Sequence, residues 1–417
     1  MQTISRDTAR RNRPPAGRRA RALLPVLGGL LLSVAAGEAL VRLAATSLPG
    51  VRLLAEPLGT RRDEPQTFAE LQHAYRDHVV PFREWNGFRC NSLGFHDVEF
   101  RREKAPGTLR IVALGDSFAY GSVTYGRCYL TLAEALLVLD SGDSGATAAR
   151  AVEIDNLGVP ASGIADYRVV WQLVGRDLAP DLVVVTLYLG NDPRDFADAT
   201  RFGGPRRPWQ SSWLLTFLRR SATLAAERWR VRRSDRTTPP APPGDATQER
   251  AAPAAWTEDD RAVFSDEAFA GIQALELEML ARPGAALRGP GWDAFLAALA
   301  GLVDAVARDG VPVALALAPS RLQVHASELA AVAARARVPL EDLDPDLPQQ
   351  RIAAFAAERG VPLVDLTPAL RRAAATDGAL YQRNDTHWNV RGNAVAGIEL
   401  ARRLVELGVV PPATARR

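Results

Sequence analysis

Short apolar runs alternate with helix-like segments along most of the chain from residue 109 onward. The run at 181–189 is continuous and rich in β-branched residues, as expected of a strand covered on both faces. The apolar runs predicted as strands are 109–114, 152–156, 181–189, 311–317 and 361–366. The segments with helical periodicity are 130–139, 166–177, 292–308, 321–336, 348–358 and 393–407. This alternation predicts a three-layer α/β/α, flavodoxin-like domain with a mostly parallel five-stranded sheet.

The alternation stops for about a hundred residues in the middle of this domain. Residues 193–290 hold helical segments at 213–229 and 266–280, and a polar, Pro-rich stretch at 234–256. Proline and small polar residues at that density are typical of a loop or linker. We therefore expect one domain over 109–410 that carries a helical insertion at 193–290.

The N-terminus carries a basic segment followed by an apolar one. Residues 1–21 contain seven arginines and one acid, and the uncharged run 22–37 is extended to residue 43 across Glu38 and Arg42. A helix needs about 20 apolar residues to cross a bilayer, and a basic flank stays in the cytoplasm. We expect a cytoplasmic tail at 1–21, a transmembrane signal anchor at 22–43 and a membrane-proximal lead-in at 44–108.

We therefore expect a single-pass protein of the inner membrane whose remaining chain is periplasmic or extracellular. A cleaved signal peptide is the alternative, because Ala35-Ala36-Gly37 is a small-residue cleavage site.

The overall composition gives no support for a nucleic-acid-binding protein, a disulfide-rich scaffold or a cysteine-bound metal cluster. The formal net charge of +3 gives no reason to expect a nucleic-acid partner. Two cysteines, Cys90 and Cys128, are too few for a disulfide scaffold or a metal cluster. They form one bridge in an exported chain, or they are two small buried apolar side chains, and both alternatives stay open. We expect neither a metal nor a cofactor.

The first candidate for chemistry is Ser117, in the stretch Leu114-Gly-Asp-Ser117-Phe-Ala-Tyr-Gly121 at the end of the first strand. A serine between a strand and a helix lies among free N–H groups that favour negative charge. A helix N-cap is an equally good explanation of this stretch taken alone.

The second candidate is His387, in Asn384-Asp385-Thr-His387-Trp-Asn389 before the last helix. An imidazole removes a proton from serine efficiently only when another group orients it and stabilises its cation. Asp385 is placed to do so from the same loop. The other histidines of the chain lack such a neighbour.

Two further polar sites follow strands. Asn191, in Gly190-Asn-Asp192, can donate an amide hydrogen bond to an oxyanion. The turn 156–163 offers backbone N–H donors. Since the carboxyl ends of parallel strands meet at one edge of a sheet, these sites together supply a nucleophile, oxyanion donors, an orienting acid and a base.

The four blocks Gly-Asp-Ser-Phe, Asn-Leu-Gly-Val-Pro, Gly-Asn-Asp and Asp-Thr-His-Trp-Asn resemble, in this order, the sequence blocks of the SGNH (GDSL-like) hydrolase superfamily. The lead-in Asn91-Ser-Leu-Gly-Phe is similar to that of membrane-anchored bacterial members. The resemblance covers about 90–200 and 310–410. It implies that Ser117 is the nucleophile, His387 the base and Asp385 its orienting acid. It also implies that Asn191 and the amide of Ser117 donate to the oxyanion.

Two positions depart from the superfamily pattern. The glycine whose amide is the third oxyanion donor is replaced by Ala161, unless the register places Gly158 or Gly163 there. The usual Asp-x-x-His spacing is shortened, so Asn384 occupies the position three before His387 and Asp385 the position two before it. We favour Asp385, because an asparagine cannot offset the imidazolium charge. Asp-Thr-His-Trp is also similar to polysaccharide O-acetyltransferases of the alginate-acetylating type.

Three functions follow from these observations. The first is a serine esterase that acts on an acylated cell-envelope glycan or lipid through an acyl-enzyme. The second is an O-acetyltransferase for an envelope polysaccharide, which needs an acyl donor such as a membrane-bound partner. The third is a non-catalytic, membrane-tethered glycan-binding protein. Ala161 and the shortened Asp-His spacing favour that third reading.

Overall fold

The structure is a computed structural model of the chain, and it divides into two compact units. One comprises residues 1–60 and 205–247, and the other comprises 61–204 and 248–417. The Pro-rich stretch 234–256 lies outside the residues that the structure describes. Those residues are 16–48, 51, 65, 67–142, 151–193, 212–215, 217–218, 221, 262–285, 287 and 291–410.

The larger unit contains the five-stranded sheet that the sequence predicts, and all of its strands are parallel. Their order, β4-β3-β5-β6-β7, is that of a doubly wound, flavodoxin-like sheet. A separate antiparallel pair, β1 and β2, precedes it. The strands are β1 Glu84–Trp85, β2 Phe88–Arg89, β3 Leu109–Leu114, β4 Val152–Asn156, β5 Leu182–Tyr188, β6 Val313–Ala318 and β7 Leu363–Asp365.

Helices follow the strands at almost every predicted position. The segment 321–336 forms two helices rather than one, with His325 between them. The described helices are α1 Ala16–Ser47, α2 Phe68–Ala74, α3 Ser117–Tyr120, α4 Tyr129–Gly142, α5 Ile164–Leu173, α6 Asp266–Glu276, α7 Trp292–Arg308, α8 Arg321–Val324, α9 Ala326–Ala336, α10 Leu347–Arg359, α11 Thr367–Asp377 and α12 Val390–Glu406. Of the helix predicted at 213–229, the described positions 213–215, 217–218 and 221 are helical.

The sheet is covered on both faces, because alternate side chains of each strand point to opposite sides. On β5, Val183 and Val185 pack in a core with α5, α7 and α10. Leu182 and Val184 pack in a second core with α4, α11 and α12. The three-layer α/β/α prediction is therefore confirmed, and it explains why β5 reads as one continuous apolar run.

The lead-in is ordered by a tight hairpin and by buried polar contacts. Asn86 and Gly87, both at positive φ (46° and 73°), connect β1 to β2, as a two-residue hairpin loop of this hand requires. The Asn91 side chain then accepts hydrogen bonds from the amides of Leu93 and Phe95. These two bonds close a turn over residues 91–95.

The two cysteines are both free and buried. Cys90 contacts the hydroxyl of Tyr120 at 3.2 Å, and Cys128 lies 4.0 Å from Nδ1 of His96. The disulfide alternative is therefore wrong, and the structure contains two buried free cysteines.

In the smaller unit, the predicted anchor 22–43 lies inside the 32-residue helix α1. Glu38 pairs with Arg42 on this helix and accepts hydrogen bonds from the amides of Trp213 and Leu214. Across the described residues, no helix has both the length and the apolar character that crossing a bilayer requires. The transmembrane anchor expected at 22–43 is not confirmed by the described residues and stays a prediction.

Candidate active site

Ser117 is the first residue of α3, and two residues, Gly115 and Asp116, separate it from the end of β3. The chain leaves β3 for β4 on one side and returns to β5 on the other, so the strand order reverses beside β3. Asp116 caps the helix by accepting a hydrogen bond from the amide of Phe118 at 2.8 Å. In a doubly wound sheet this reversal is where ligand sites form.

His387 and Asp385 meet Ser117 in a continuous hydrogen-bonded chain. Nε2 of His387 lies 2.7 Å from Oγ of Ser117, and Nδ1 lies 2.9 Å from Oδ1 of Asp385. Asp385 is 5% exposed, whereas the His387 side chain keeps 22% of its surface accessible. Asp385 is thus shielded from solvent, whereas the imidazole of His387 remains partly accessible to a substrate.

The loop that carries this acid-base pair is held on several sides. The amide of Gln382 donates to the carbonyl of His387 at 2.9 Å, and Asn389 donates to Leu380 at 3.0 Å. The side chain of Gln382 also donates to the carbonyl of Ser122, just beyond α3. These bonds fix the histidine loop against the segment that follows the nucleophile.

Asn384, the alternative orienting residue, points away from the imidazole. Its Nδ2 donates to Asp266 at 2.6 Å and to the carbonyl of Phe264 at 3.2 Å. It occupies the left-handed region, with φ 49°, which asparagine tolerates better than most residues. Asp385 therefore holds the orienting position despite the shortened spacing, and Asn384 ties the loop to the end of the insertion.

The electrostatics of the pair suit proton transfer from serine. Burial by itself raises the pKa of Asp385, but the hydrogen bond and charge of His387 outweigh it and hold that pKa below its usual value. Burial by itself lowers the pKa of His387, but the hydrogen bond and charge of Asp385, with Asp116 and Glu276, outweigh it and raise that pKa. Each residue thus stabilises the charged form of the other.

The imidazole packs against the aromatic ring of Phe118, which in turn packs against two further rings. Phe118 lies 5.0 Å from the ring of His387, centroid to centroid, and stacks on Tyr188 at 4.1 Å. Trp388 meets Phe118 edge to face at 5.0 Å. These contacts restrict the orientation of the imidazole in addition to its hydrogen bonds.

Two of the predicted oxyanion donors make no competing bonds within the described part of the chain. The backbone amides of Ser117 and Ala161 donate to none of its residues. On the Asn191 side chain, Oδ1 is buried and has no hydrogen-bond partner there. The turn carrying Asn191 is closed by Asp192, which accepts the amide of Tyr188 at 2.9 Å. The role of these groups as oxyanion donors stays a prediction.

The register of the second block is settled by two engaged glycines. Gly158 donates its amide to Oδ1 of Asn156, and Gly163 donates to Asp166. Ala161 has φ 58°, a conformation usual for glycine. Alanine therefore occupies the glycine position of the block, and its role as third donor stays a prediction.

The described residues contain no group of His, Cys, Asp and Glu side chains that could hold a metal ion. Phe118, Tyr188 and Glu276 form contacts near the triad, and no sequence pattern assigned any of them a role. Phe118 belongs to the first block and directly follows the nucleophile. Tyr188 lies in the predicted strand 181–189 and Glu276 in the predicted helical segment 266–280, but neither pattern indicates a contact with the active site.

Comparison with known families agrees with the blocks at the C-terminal end of the chain. Residues 283–414 match the family model described as the SGNH hydrolase-like domain of acetyltransferase AlgX. A search of curated proteins finds no match. The resemblance to SGNH proteins, and to the alginate type among them, is thus confirmed.

Solved structures similar to this chain include several esterases. An acetyl xylan esterase, AlAXEase, is 13% identical, with a TM-score of 0.37, covering 70% of this chain and 98% of its own. A lipase/acylhydrolase from Enterococcus faecalis is 13% identical, with a TM-score of 0.37 and coverages of 73% and 98%. A catalytic mutant of Axe2, an acetylxylan esterase from Geobacillus stearothermophilus, is 12% identical, with a TM-score of 0.36 and coverages of 73% and 95%. These similarities are loose, and the fold rests on the strand order of this chain itself.

Proposed function

We propose that this chain, which carries an SGNH hydrolase-like domain with an AlgX-type C-terminal part, is a serine-dependent acyl-ester hydrolase. Its substrate would be an acylated cell-envelope glycan or lipid, and the reaction would pass through an acyl-enzyme. The observation that supports this most strongly is the hydrogen-bonded chain from Ser117 through His387 to Asp385.

In the proposed reaction, Oγ of Ser117 attacks the ester carbonyl carbon while Nε2 of His387 takes the hydroxyl proton. The amides of Ser117 and Ala161 and the side chain of Asn191 would hold the oxyanion. The ester C–O bond then breaks, and His387 returns the proton to the leaving alcohol. Water attacks the acyl-enzyme with His387 again as base, which releases the acid and restores Ser117.

An O-acetyltransferase for an envelope polysaccharide is the second candidate, because residues 283–414 match an acetyltransferase domain. Chemically it differs only in the second step, where a sugar hydroxyl replaces water. It would require an acyl donor, which a membrane-bound partner could supply.

The third candidate is a membrane-tethered glycan-binding protein without catalytic activity. It would tolerate a serine and histidine held apart, but Oγ and Nε2 lie at 2.7 Å, within the range of a productive nucleophile and base. This distance favours the enzymatic candidates.

Hydrolysis and transfer can be separated by following the acetyl group. Purified protein is given p-nitrophenyl acetate with and without an added acceptor oligosaccharide, and free acetate and acetylated oligosaccharide are quantified. A hydrolase releases acetate in both conditions, whereas a transferase accumulates acetylated oligosaccharide. If Ser117→Ala turns over as fast as the wild type, neither enzymatic candidate stands.

The envelope location is part of the same proposal and rests on the basic segment 1–21 and the apolar run after it. Protease treatment of intact spheroplasts tests it. We expect digestion of the 110–410 domain and protection of an N-terminal tag. The reverse pattern would contradict the orientation, and a soluble form beginning near Glu38 would favour a cleaved signal peptide.

A further inference from the structure

The end of the insertion packs directly on the loop that carries the acid-base pair. The amides of Val263 and Phe264 donate to the carbonyls of Arg383 and Asn384 at 3.1 and 3.2 Å. Helix α6 begins immediately afterwards, capped by Ser265. We refer to residues 263–280 as the docking segment.

The docking segment is anchored at its other end by its own apolar core. Leu277, Met279 and Leu280 are fully buried and pack with side chains of α8 and α9. A segment fixed at both ends holds the residues between them in defined positions, and Glu276 lies at the end of α6 between these anchors.

Glu276 is a buried carboxylate that is connected to the active site through Tyr188. It is 3% exposed and accepts a hydrogen bond from the hydroxyl of Tyr188. The ring of Tyr188 stacks on Phe118, and Phe118 packs on His387. Glu276 is thus linked to the imidazole through two stacked aromatic rings.

The hydrogen bond alone does not explain why this residue is an acid. A glutamine would accept the same bond from Tyr188 without the cost of burying a charge. A buried negative charge is useful where a positive charge forms nearby. His387 becomes an imidazolium each time it removes a proton from the nucleophile.

The charged groups that raise the pKa of His387 are all acidic: Asp385, Asp116 and Glu276. Burial first, and then the charge of Glu276, raise the pKa of Tyr188 and of Tyr381. Arg321 and Glu328 also act on Tyr381. Arg321 is bound to Glu328 through both Nε and Nη2, which offsets its charge.

We propose that Glu276 is a positioning residue of the active site, a further buried carboxylate besides Asp385 and Asp116, which the insertion supplies to stabilise the imidazolium of His387. This inference rests on the proposed function, in which that imidazolium forms. The negative charge of Glu276 also acts to raise the pKa of His387, in the same direction as Asp385. In this proposal the insertion contributes to catalysis and is more than a peripheral addition to the fold.

The test is the pKa of His387 in the full-length protein, measured by NMR with selectively labelled histidine and assigned with His387→Ala. Glu276→Gln keeps the hydrogen bond to Tyr188 and removes the charge. We expect the His387 pKa to move to lower pH in Glu276→Gln and to stay near the wild-type value in Glu276→Asp. An unchanged pKa in Glu276→Gln would overturn the proposal and leave Glu276 a purely structural residue.

A matched control is Glu399→Gln, which removes another buried carboxylate, on α12, where it pairs with Arg402. It should leave the His387 pKa unchanged, and a shift equal to that of Glu276→Gln would also overturn the proposal. The acid limb of kcat/KM for p-nitrophenyl acetate should move with the NMR value. Loss of this activity in Ser117→Ala tests the proposed function separately, because the NMR pKa needs no turnover.

Discussion

At the scale of single residues, the orientation of His387 depends on one loop, in which the neighbouring residues Asn384 and Asp385 have different partners. Asp385 binds Nδ1 of the imidazole, and Asn384, one residue earlier, binds Asp266 instead. Their positions along the chain are nearly equivalent. The backbone conformation separates them, because Asn384 is in the left-handed region and turns its side chain outward.

Substituting these two residues separates orientation from anchoring. Asp385→Asn should lower kcat on the order of 10⁴-fold, because the imidazole loses its tautomer and the charge that offsets its cation. Asn384→Ala should cost about 1–2 kcal/mol of unfolding free energy from lost hydrogen bonds and should reduce kcat far less. Steady-state kinetics and urea denaturation measure the two effects. A larger loss of kcat in Asn384→Ala than in Asp385→Asn would contradict the assignment.

At the scale of elements, the site depends on close contact between the loop after β4 and helix α3. A Cβ added at Gly158 would lie 2.3 Å from the amide nitrogen of Tyr120 and 2.7 Å from the carbonyl carbon of Ala119. Both are backbone atoms, which cannot move aside as a flexible side chain could. Only glycine lets this loop approach the helix that begins with the nucleophile.

Gly158→Ala should therefore displace either the loop or α3. We expect a loss of about 1–3 kcal/mol of stability from overpacking, together with lower esterase activity. Gly163→Ala is the matched control on the same loop, since its added Cβ meets nothing within 4 Å and its φ is −137°. Thermal melts and p-nitrophenyl acetate turnover compare the stability and the activity of the two variants. Equal behaviour of the two would show that the contact is unimportant.

The elements also show how far a sequence can predict such a site. Strands and helices in 109–189 and 292–407 follow from periodicity, because each strand is covered on both faces and each helix on one. The triad follows from polar residues placed after strands. The contact between Glu276 and Tyr188 could not be predicted, because it joins residues 88 positions apart. Helical periodicity in 266–280 predicts the helix but not what its end contacts. The direction of the Asn384 side chain depends on a backbone angle that composition does not reveal.

At the scale of the whole molecule, a buried acid in the lead-in links the fold to pH. Asp97 accepts hydrogen bonds from the amides of Val98 and Asn156 and is 2% exposed. It thereby fixes the lead-in to the last residue of β4. Burial raises its pKa from 3.8 to about 8.

This shift makes stability depend on pH with a defined sign. Above about pH 4 the unfolded chain loses the Asp97 proton while the folded protein keeps it until about pH 8. The stabilising contribution of protonated Asp97 therefore decreases as pH rises from 4 to 8. We expect Tm to fall across this interval, and to fall less in Asp97→Asn, which cannot titrate. The same slope in both proteins would exclude Asp97 as the source.

The most direct test of the central claim, that Ser117 is a nucleophile activated by His387 and Asp385, is labelling with a fluorophosphonate followed by peptide mass spectrometry. Such a probe reacts only with an activated serine. The account predicts one label, located on Ser117, which is absent in Ser117→Ala and greatly slowed in His387→Ala. Folded wild-type protein that stays unlabelled, or that carries its label on another residue, would contradict it.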